Sequence, residues 1–325
     1  MTARTSLLAL AAAATVLAAT GPAPAQNYPD KSIRLIVPFP PGGPMDVMAR
    51  LVGQKMSSSL GQPVIVENRA GAGGTIGSKA VATAEPDGYT LLWGSSGTLA
   101  ISPALYKNLD YDPKAFMPIA LVAKLPHVFV VTPDLPAKTV QEFVAYAKAN
   151  PGKLNYGASL GTPPHLMGTL FKTMSGIDIV YIPYKGAAPS ITDLLGGRTQ
   201  MTFDALTVLY PLIQECKLRA LAVTSLQRWP ALPDVPTMIE SGYAGFPSDA
   251  WAGVLAPGGT PAGIVGKLNT TINEAMRSDD AKVSLDKLSA VASLGSPQDF
   301  ATWIAAETPK WTELVRLAGA TVEAQ

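Results

Sequence analysis

Along the chain, short apolar runs bounded by turn residues alternate with stretches of helical periodicity. The runs lie at 33–39, 64–67, 89–93, 128–132, 154–157, 179–182, 201–203 and 218–223, and helical patterns fall near 44–59, 75–84, 139–149, 164–174 and 187–196. This alternation predicts an α/β fold whose sheets are mainly parallel and flanked by helices. From Pro261 onward the pattern is helical. There Phe300, Trp303, Ile304, Trp311, Leu314 and Val315 share one helix face, which marks them as core rather than as a binding surface. Two segments have the character of lobe junctions: a long strand at 118–133 interrupted at Leu125-Pro126, and a strand at 218–225 running into a proline-rich loop. Two crossings predict a discontinuous first lobe, 26–124 and 224–325, and a second lobe, 125–223. The cleft between them is the expected ligand site.

Composition narrows this picture. Met1 to Ala25 carries Arg4, an apolar run from Leu7 to Ala19 and the small-residue site Ala23-Pro24-Ala25. These are the parts of a secretory signal peptide cleaved near Ala25, with an apolar run too short to remain in a bilayer. The mature chain, about 300 residues, exceeds what one core usually serves. The single cysteine, Cys216, excludes an intrachain disulfide and is expected as a small hydrophobe in the core. With only two histidines, no His/Cys metal site is expected. The 25 basic and 24 acidic residues balance, so nothing points to nucleic acid or an anionic membrane surface. Charged residues make up only 15% of the chain and apolar ones 47%, consistent with a large packed core.

Three glycine-rich turns follow strand-like runs. Pro40-Pro41-Gly42-Gly43-Pro44 opens an amphipathic helix, with Pro44 suited to the first helical position and Asp46 to the first turn. Such a turn can receive an anion on unpaired backbone N–H groups. No lysine follows the glycines as a nucleotide-binding P-loop requires, so a smaller anion such as a carboxylate suits it better. The turn from Gly71 to Gly77 departs from the dinucleotide pattern at Ile76, leaving a second anion-tolerant turn or plain tight packing. Gly157-Ala158-Ser159-Leu160-Gly161 matches the G-x-S-x-G nucleophile elbow. The base is missing, since the only histidine after Ser159 is His165, close behind it, and His127 precedes it. With the hydroxyls of Ser159 and Thr162 and the helix starting near Pro163, the same loop makes an anion cradle, and His165 is expected to hydrogen-bond to it. Lys185, in the turn from Tyr184 to Pro189, could supply a cation, although a lysine on an exposed turn is ordinarily solvated. Asp204 and Trp251 could face the cleft or brace neighbouring loops.

Taken in order, YPDKSIRLIVPFPPGGPMDVMAR, PVIVENRAGAGGTIGSKAVATAEPDGYTLLWG, ALYKNLDYDP, NYG…GTPPHLMGTLFK, PYKGAAPSITDLLGGRTQMTFD, RWPALPDVPTMIESGYAGF and APGGTPAGIVGKLN resemble the Bug-type solute-binding proteins of tripartite tricarboxylate transporters. The resemblance covers about residues 28–320. It implies a periplasmic, type II "Venus flytrap" binder, monomeric, without catalytic activity or cofactor, that delivers a small organic carboxylate to inner-membrane permease subunits. Aromatic acids and dicarboxylates are among the candidate ligands. By the same resemblance, one loop from each lobe grips the carboxylate: 39–46, with Phe39, Gly42, Gly43, Met45 and Asp46, and 159–165, with Ser159, Gly161, Thr162 and His165. Ser95, Ser96, Gly186, Asp204 and Trp251 occupy further cleft-facing motif positions. Met45 stands where the family usually has a small hydroxyl residue, and the 157–165 loop is one residue shorter than the common form. Two other readings are an exported serine hydrolase using Ser159 and a subunit presenting its ligand to a sensor.

Overall fold

The computed structural model describes residues 28–246 and 249–319; the signal-peptide segment lies outside them. In chain order the strands are β1 (Ile33–Val37), β2 (Val64–Asn68), β3 (Thr90–Ser95), β4 (Phe116–Leu125), β5 (His127–Val131), β6 (Leu154–Ala158), β7 (Ile179–Pro183), β8 (Met201–Ala205), β9 (Arg219–Val223), β10 (Ala250–Pro257) and β11 (Val291–Ala292). They form two sheets, ordered β11-β4-β10-β3-β1-β2 and β7-β6-β8-β5-β9. Helices between the strands flank both, as the alternation of runs predicts.

The sheets are mixed where the sequence pattern predicts mainly parallel ones. β1 pairs in parallel with β2 and β3, but β10 enters between β3 and β4 antiparallel to both. In the second sheet β6 is parallel to β7 and β8, whereas β5 is antiparallel to β8 and β9. Of the reversed strands, β5 and β10 arrive from the other sheet, and the two-residue β11 closes the first sheet's edge antiparallel to β4. β10 is also the strand the pattern hides: all eight of its residues are buried, so it shows no alternation, and its Ala-Trp-Ala-Gly-Val-Leu-Ala-Pro run is poor in β-branched side chains.

Each sheet has its own core. Leu35, Trp93, Ile119, Val254 and Ile272 lie in the first, which packs against the helices Pro44–Leu60 and Ala262–Arg277. In the second, Phe129 stacks on Phe203 with ring centroids 4.7 Å apart and meets Phe143 edge-on at 5.2 Å. Aromatic pairs in these geometries add to the area they bury.

The chain first crosses between sheets at Leu125-Pro126-His127, where His127 N–H donates to Thr224 Oγ1 at 2.9 Å and Thr224 N–H donates to the His127 carbonyl at 2.9 Å. The return, expected at residue 224, lies instead at Asp249-Ala250. Met238 and Phe246 belong to the second core, with Phe246 stacked 5.2 Å from Phe203, so residues 225–246 stay on that side. The C-terminal helix Pro297–Leu317 serves both cores. Phe300 packs edge-on against Trp251 at 5.7 Å, while Trp311, Leu314 and Val315 are buried in the second core. Cys216, expected in the core, is exposed at φ +55, just beyond the helix Leu206–Gln214.

Ionisable groups gather at the crossing. Lys124 Nζ sits 3.8 Å from the Trp303 ring centroid, buried Glu307 accepts from Lys310 Nζ at 2.6 Å, and Asp249 is buried with Oδ1 unpaired. Burial pushes the Asp249 carboxyl up to about 7, with Lys124 pulling it down and Glu307 pushing it further up. A carboxyl raised in the fold favours folding at low pH, and that contribution disappears as pH rises from its ordinary 3.8 through about 7. The contribution of Asp249 to thermal stability should therefore fall between about pH 4 and about pH 7, and Asp249→Asn should remove that part of the slope in scanning calorimetry. An identical slope in the variant would remove Asp249 as its source.

Candidate functional site

A cavity of about 380 Å³ opens between the two sheets. Pro38, Phe39 and Pro40 after β1, Ala70, Gly71, Gly73 and Gly74 after β2, and Gly97, Ser102, Leu105 and Tyr106 after β3 form one wall. Ser159 to Pro163 after β6 and Lys185 after β7 form the other. Every wall segment leaves the carboxyl end of a strand, β1, β2 and β3 being parallel neighbours in one sheet and β6 and β7 in the other. This is where open α/β sheets bind ligands, because loops there face a crevice instead of covering helices. The volume suits a small molecule. A larger hollow of about 570 Å³ lies under the C-terminal helix, walled by Leu99, Phe116, Leu255, Ile304 and Pro309. Asp112, Lys114 and Thr308 also line it, but most of its wall is apolar and an acidic side chain stands beside the lysine, which suits an organic anion less well.

The first turn is held from behind. Asp46, buried in the first turn of the helix Pro44–Leu60, accepts from Gly42 N–H at 2.9 Å, from Arg50 Nε at 3.0 Å and from Asn68 Nδ2 at 2.8 Å. Asn68 Nδ2 also donates to the Phe39 carbonyl at 3.1 Å. Burial opposes the Asp46 charge, yet Arg50, the Gly42 amide and Asn68 together hold the carboxyl below its ordinary range. Asp46 thus braces the loop and does not line the cavity. Gly42 and Gly43 lie just behind Pro40, and the space a side chain on Gly43 would enter is open, with only the Pro40 carbonyl 3.9 Å away. Met45 packs on the first core.

The glycine-rich turn after β2 is tightly packed: Gly74 has φ +94, and a Cβ there would lie 2.8 Å from Thr98 Cγ2. After β3 the chain makes a π-helical turn, Gly97–Ile101, a feature often found at functional sites. Ser95 and Ser96 are buried behind it; Ser95 N–H donates to Thr98 Oγ1 at 3.0 Å, and Thr98 N–H donates to Ser95 Oγ at 3.4 Å.

On the opposite wall Thr162 donates both its hydroxyl, at 2.6 Å, and its N–H, at 3.2 Å, to the Ser159 carbonyl. Its hydroxyl proton therefore shapes the loop and is not free for a ligand. Gly161 N–H donates to His165 Nδ1 at 3.3 Å, the hydrogen bond to the loop expected of His165. His165 is buried, stacks 4.4 Å from Tyr181, and is held below the ordinary imidazole range by burial, so its neutral form accepts this bond. The Ser159 hydroxyl, in the cavity wall, has no hydrogen bond among the described residues. The lobes touch at Gly161: at φ +74, a Cβ there would come 2.3 Å from Leu105 Cδ2 across the cavity.

Of the residues singled out in the sequence, Phe39, Ser159, Gly161, Thr162 and Lys185 line the cavity. Gly186 adjoins Lys185 with nothing within 4 Å of where its side chain would be. Asp204, next to the end of β8, pairs with Val128 outside the cavity wall; it accepts from Ala205 N–H at 2.7 Å, and burial pushes its carboxyl up to about 6. Trp251 is fully enclosed in β10, so its ring does not reach the cavity. Gly97, Ser102, Leu105 and Tyr106 are lining residues that sequence reasoning passed over, although Leu105 and Tyr106 lie in ALYKNLDYDP, among the motifs that carry the resemblance. No group of three or more His, Cys, Asp or Glu that could hold a metal occurs among the described residues.

Two α/β lobes joined by crossing segments, with the cavity between them, are the architecture of periplasmic binding proteins such as BugD, whose structure superposes with a TM-score of 0.79 at 38% identity over 91% of this chain and 100% of that one. The chain belongs to the tripartite tricarboxylate transporter family receptors, whose pattern it matches over residues 48–319. It is 40% identical to protein BugT of Bordetella pertussis over 302 residues, 92% of this chain and 93% of that protein. A solved structure of Rpa4515 from R. palustris with adipate is also similar, with 39% identity, a TM-score of 0.82, and coverage of 91% of this chain and 100% of that one.

Proposed function

We propose that this protein is a periplasmic receptor that captures a small organic carboxylate in the interlobe cavity and presents it to inner-membrane permease subunits, acting as a monomer without cofactor. The cavity itself carries this reading: its walls bring turn backbone, the Ser159 and Tyr106 side chains and one lysine together, and no carboxylate side chain among the described residues lines it. Such a wall attracts an anion and repels none. The adipate in the related Rpa4515 structure supports an organic acid as ligand. Phe39, Ser159, Gly161 and Thr162 shape the ligand space, with the Ser159 hydroxyl as a free donor in it, Gly43 keeps the approach open, and Gly42, Asp46 and His165 hold the two loops in shape. The first lobe comprises 28–124 with 250–308, the second 125–246 with the end of the C-terminal helix, and export removes the chain up to Ala25.

The protein binds and does no chemistry. Ser159 lacks a base, since His165 Nδ1 is occupied by Gly161 N–H and His127 is buried at the lobe crossing, where loss of solvent pushes its imidazole down to about 4. Ligand contacting both walls favours the closed arrangement, the form a permease can recognise.

A thermal-shift screen of mono-, di- and tricarboxylates and aromatic acids tests this. An acid at about 100 times its Kd should add about 2.7 kcal/mol, a rise of a few degrees. Turnover of a chromogenic ester that Ser159→Ala abolishes, with no acid shifting the melting temperature, would replace the receptor by a hydrolase.

A further inference from the structure

We propose that Lys185 selects ligands by a second negative charge, so that the receptor prefers dianionic organic acids to monoanionic ones; this rests on the carboxylate reading above. Lys185 is the one charged side chain among the described residues of the cavity wall. It makes no hydrogen bond or ion pair with the described residues, whereas Arg34, Arg50, Arg69, Lys172 and Arg198 each face a carboxylate partner. A ligand therefore meets a cation that need not first break an internal pair.

The position of Lys185 is fixed although its side chain is exposed. Tyr184 N–H donates to the Ala158 carbonyl at 2.9 Å, continuing the parallel β6–β7 ladder, and Tyr184 Oη donates to Asp193 Oδ2 at 2.8 Å. These bonds hold the Lys185 turn beside the Ser159 loop. The unpaired Ser159 hydroxyl suits one carboxylate, and the ammonium next to it then reads what lies at the ligand's other end. When the lobes close, the pair loses water and its attraction grows over that of an exposed ion pair.

Calorimetric titration of the mature protein with succinate, adipate and phthalate, each beside its monomethyl ester, provides the test. The wild type should bind its preferred diacid about tenfold or more tightly than the ester, as expected for a hydrogen bond between charged groups. In Lys185→Met the two affinities should converge to within about twofold through loss of the diacid alone, and Lys185→Arg should keep the preference. Equal weakening of diacid and ester in Lys185→Met would place the lysine on the first carboxylate and overturn the proposal, as would a diacid preference that survives in this variant. Binding of none of the pairs by the wild type would mean that the carboxylate reading itself fails, and the proposal with it.

Discussion

Gly161→Ala should weaken ligand binding about ten- to a hundredfold while leaving the unliganded protein folded, because the added methyl group would sit 2.3 Å from Leu105 Cδ2 where the two walls meet. Leu105 is buried in the core and cannot swing aside freely. The backbone at φ +74 adds about 1 kcal/mol of strain whether the lobes are open or closed, so the specific effect falls on closure. Small-angle scattering should show that saturating ligand contracts the wild type but contracts the variant less. Adding Leu105→Ala makes room for the methyl group and should recover much of the affinity. A double variant no better than Gly161→Ala alone would mean that this contact does not limit closure.

Ser159→Trp should abolish binding, whereas Ser159→Ala should cost only about 1 to 3 kcal/mol, the range for losing one hydrogen bond to a charged ligand. The serine is half-buried, lines the cavity and has an unpaired hydroxyl, so a large side chain there fills ligand space without breaking an internal bond. The melting temperature without ligand should then stay within the small range of surface substitutions, about 0.5 kcal/mol in stability. Calorimetry on the two variants separates the causes. A loss with alanine as large as with tryptophan would assign recognition to the hydroxyl alone and contradict a site in which the shape of the cavity and its other wall groups share it.

The strands that reveal themselves in the sequence are those with ordinary β composition between turn residues: the runs at 33–39, 64–67, 154–157 and 179–182 all overlap strands at the cavity's edge. Position after a strand and before a helix was also enough to pick out the 39–43 and 159–162 turns, because glycines and prolines there state their backbone demands locally. Tertiary consequences were less visible. β10 is Ala- and Gly-rich and buried on both faces, so neither alternation nor propensity marked it, and Trp251 looked like the end of a cleft loop when it is a core residue of that strand. The helix Leu206–Gln214 was masked by Pro211 inside it. Asp46 and Thr162 carry the polar atoms expected at a binding loop, but those atoms are consumed within the loops, which only the hydrogen-bond partners reveal. Lys185 reads on paper as an ordinary solvated turn lysine; its place in the cavity wall comes from the register between β6 and β7.

The most direct test of the central claim is a crystal structure of the mature protein grown with the carboxylate that raises its melting temperature most. The account predicts that the acid lies between the 38–40 and 159–163 loops, with its carboxylate at the Ser159 side and both lobes in contact with it. Density for the acid in the apolar hollow under the C-terminal helix, or on one lobe only with the interlobe cavity filled by water, would contradict it.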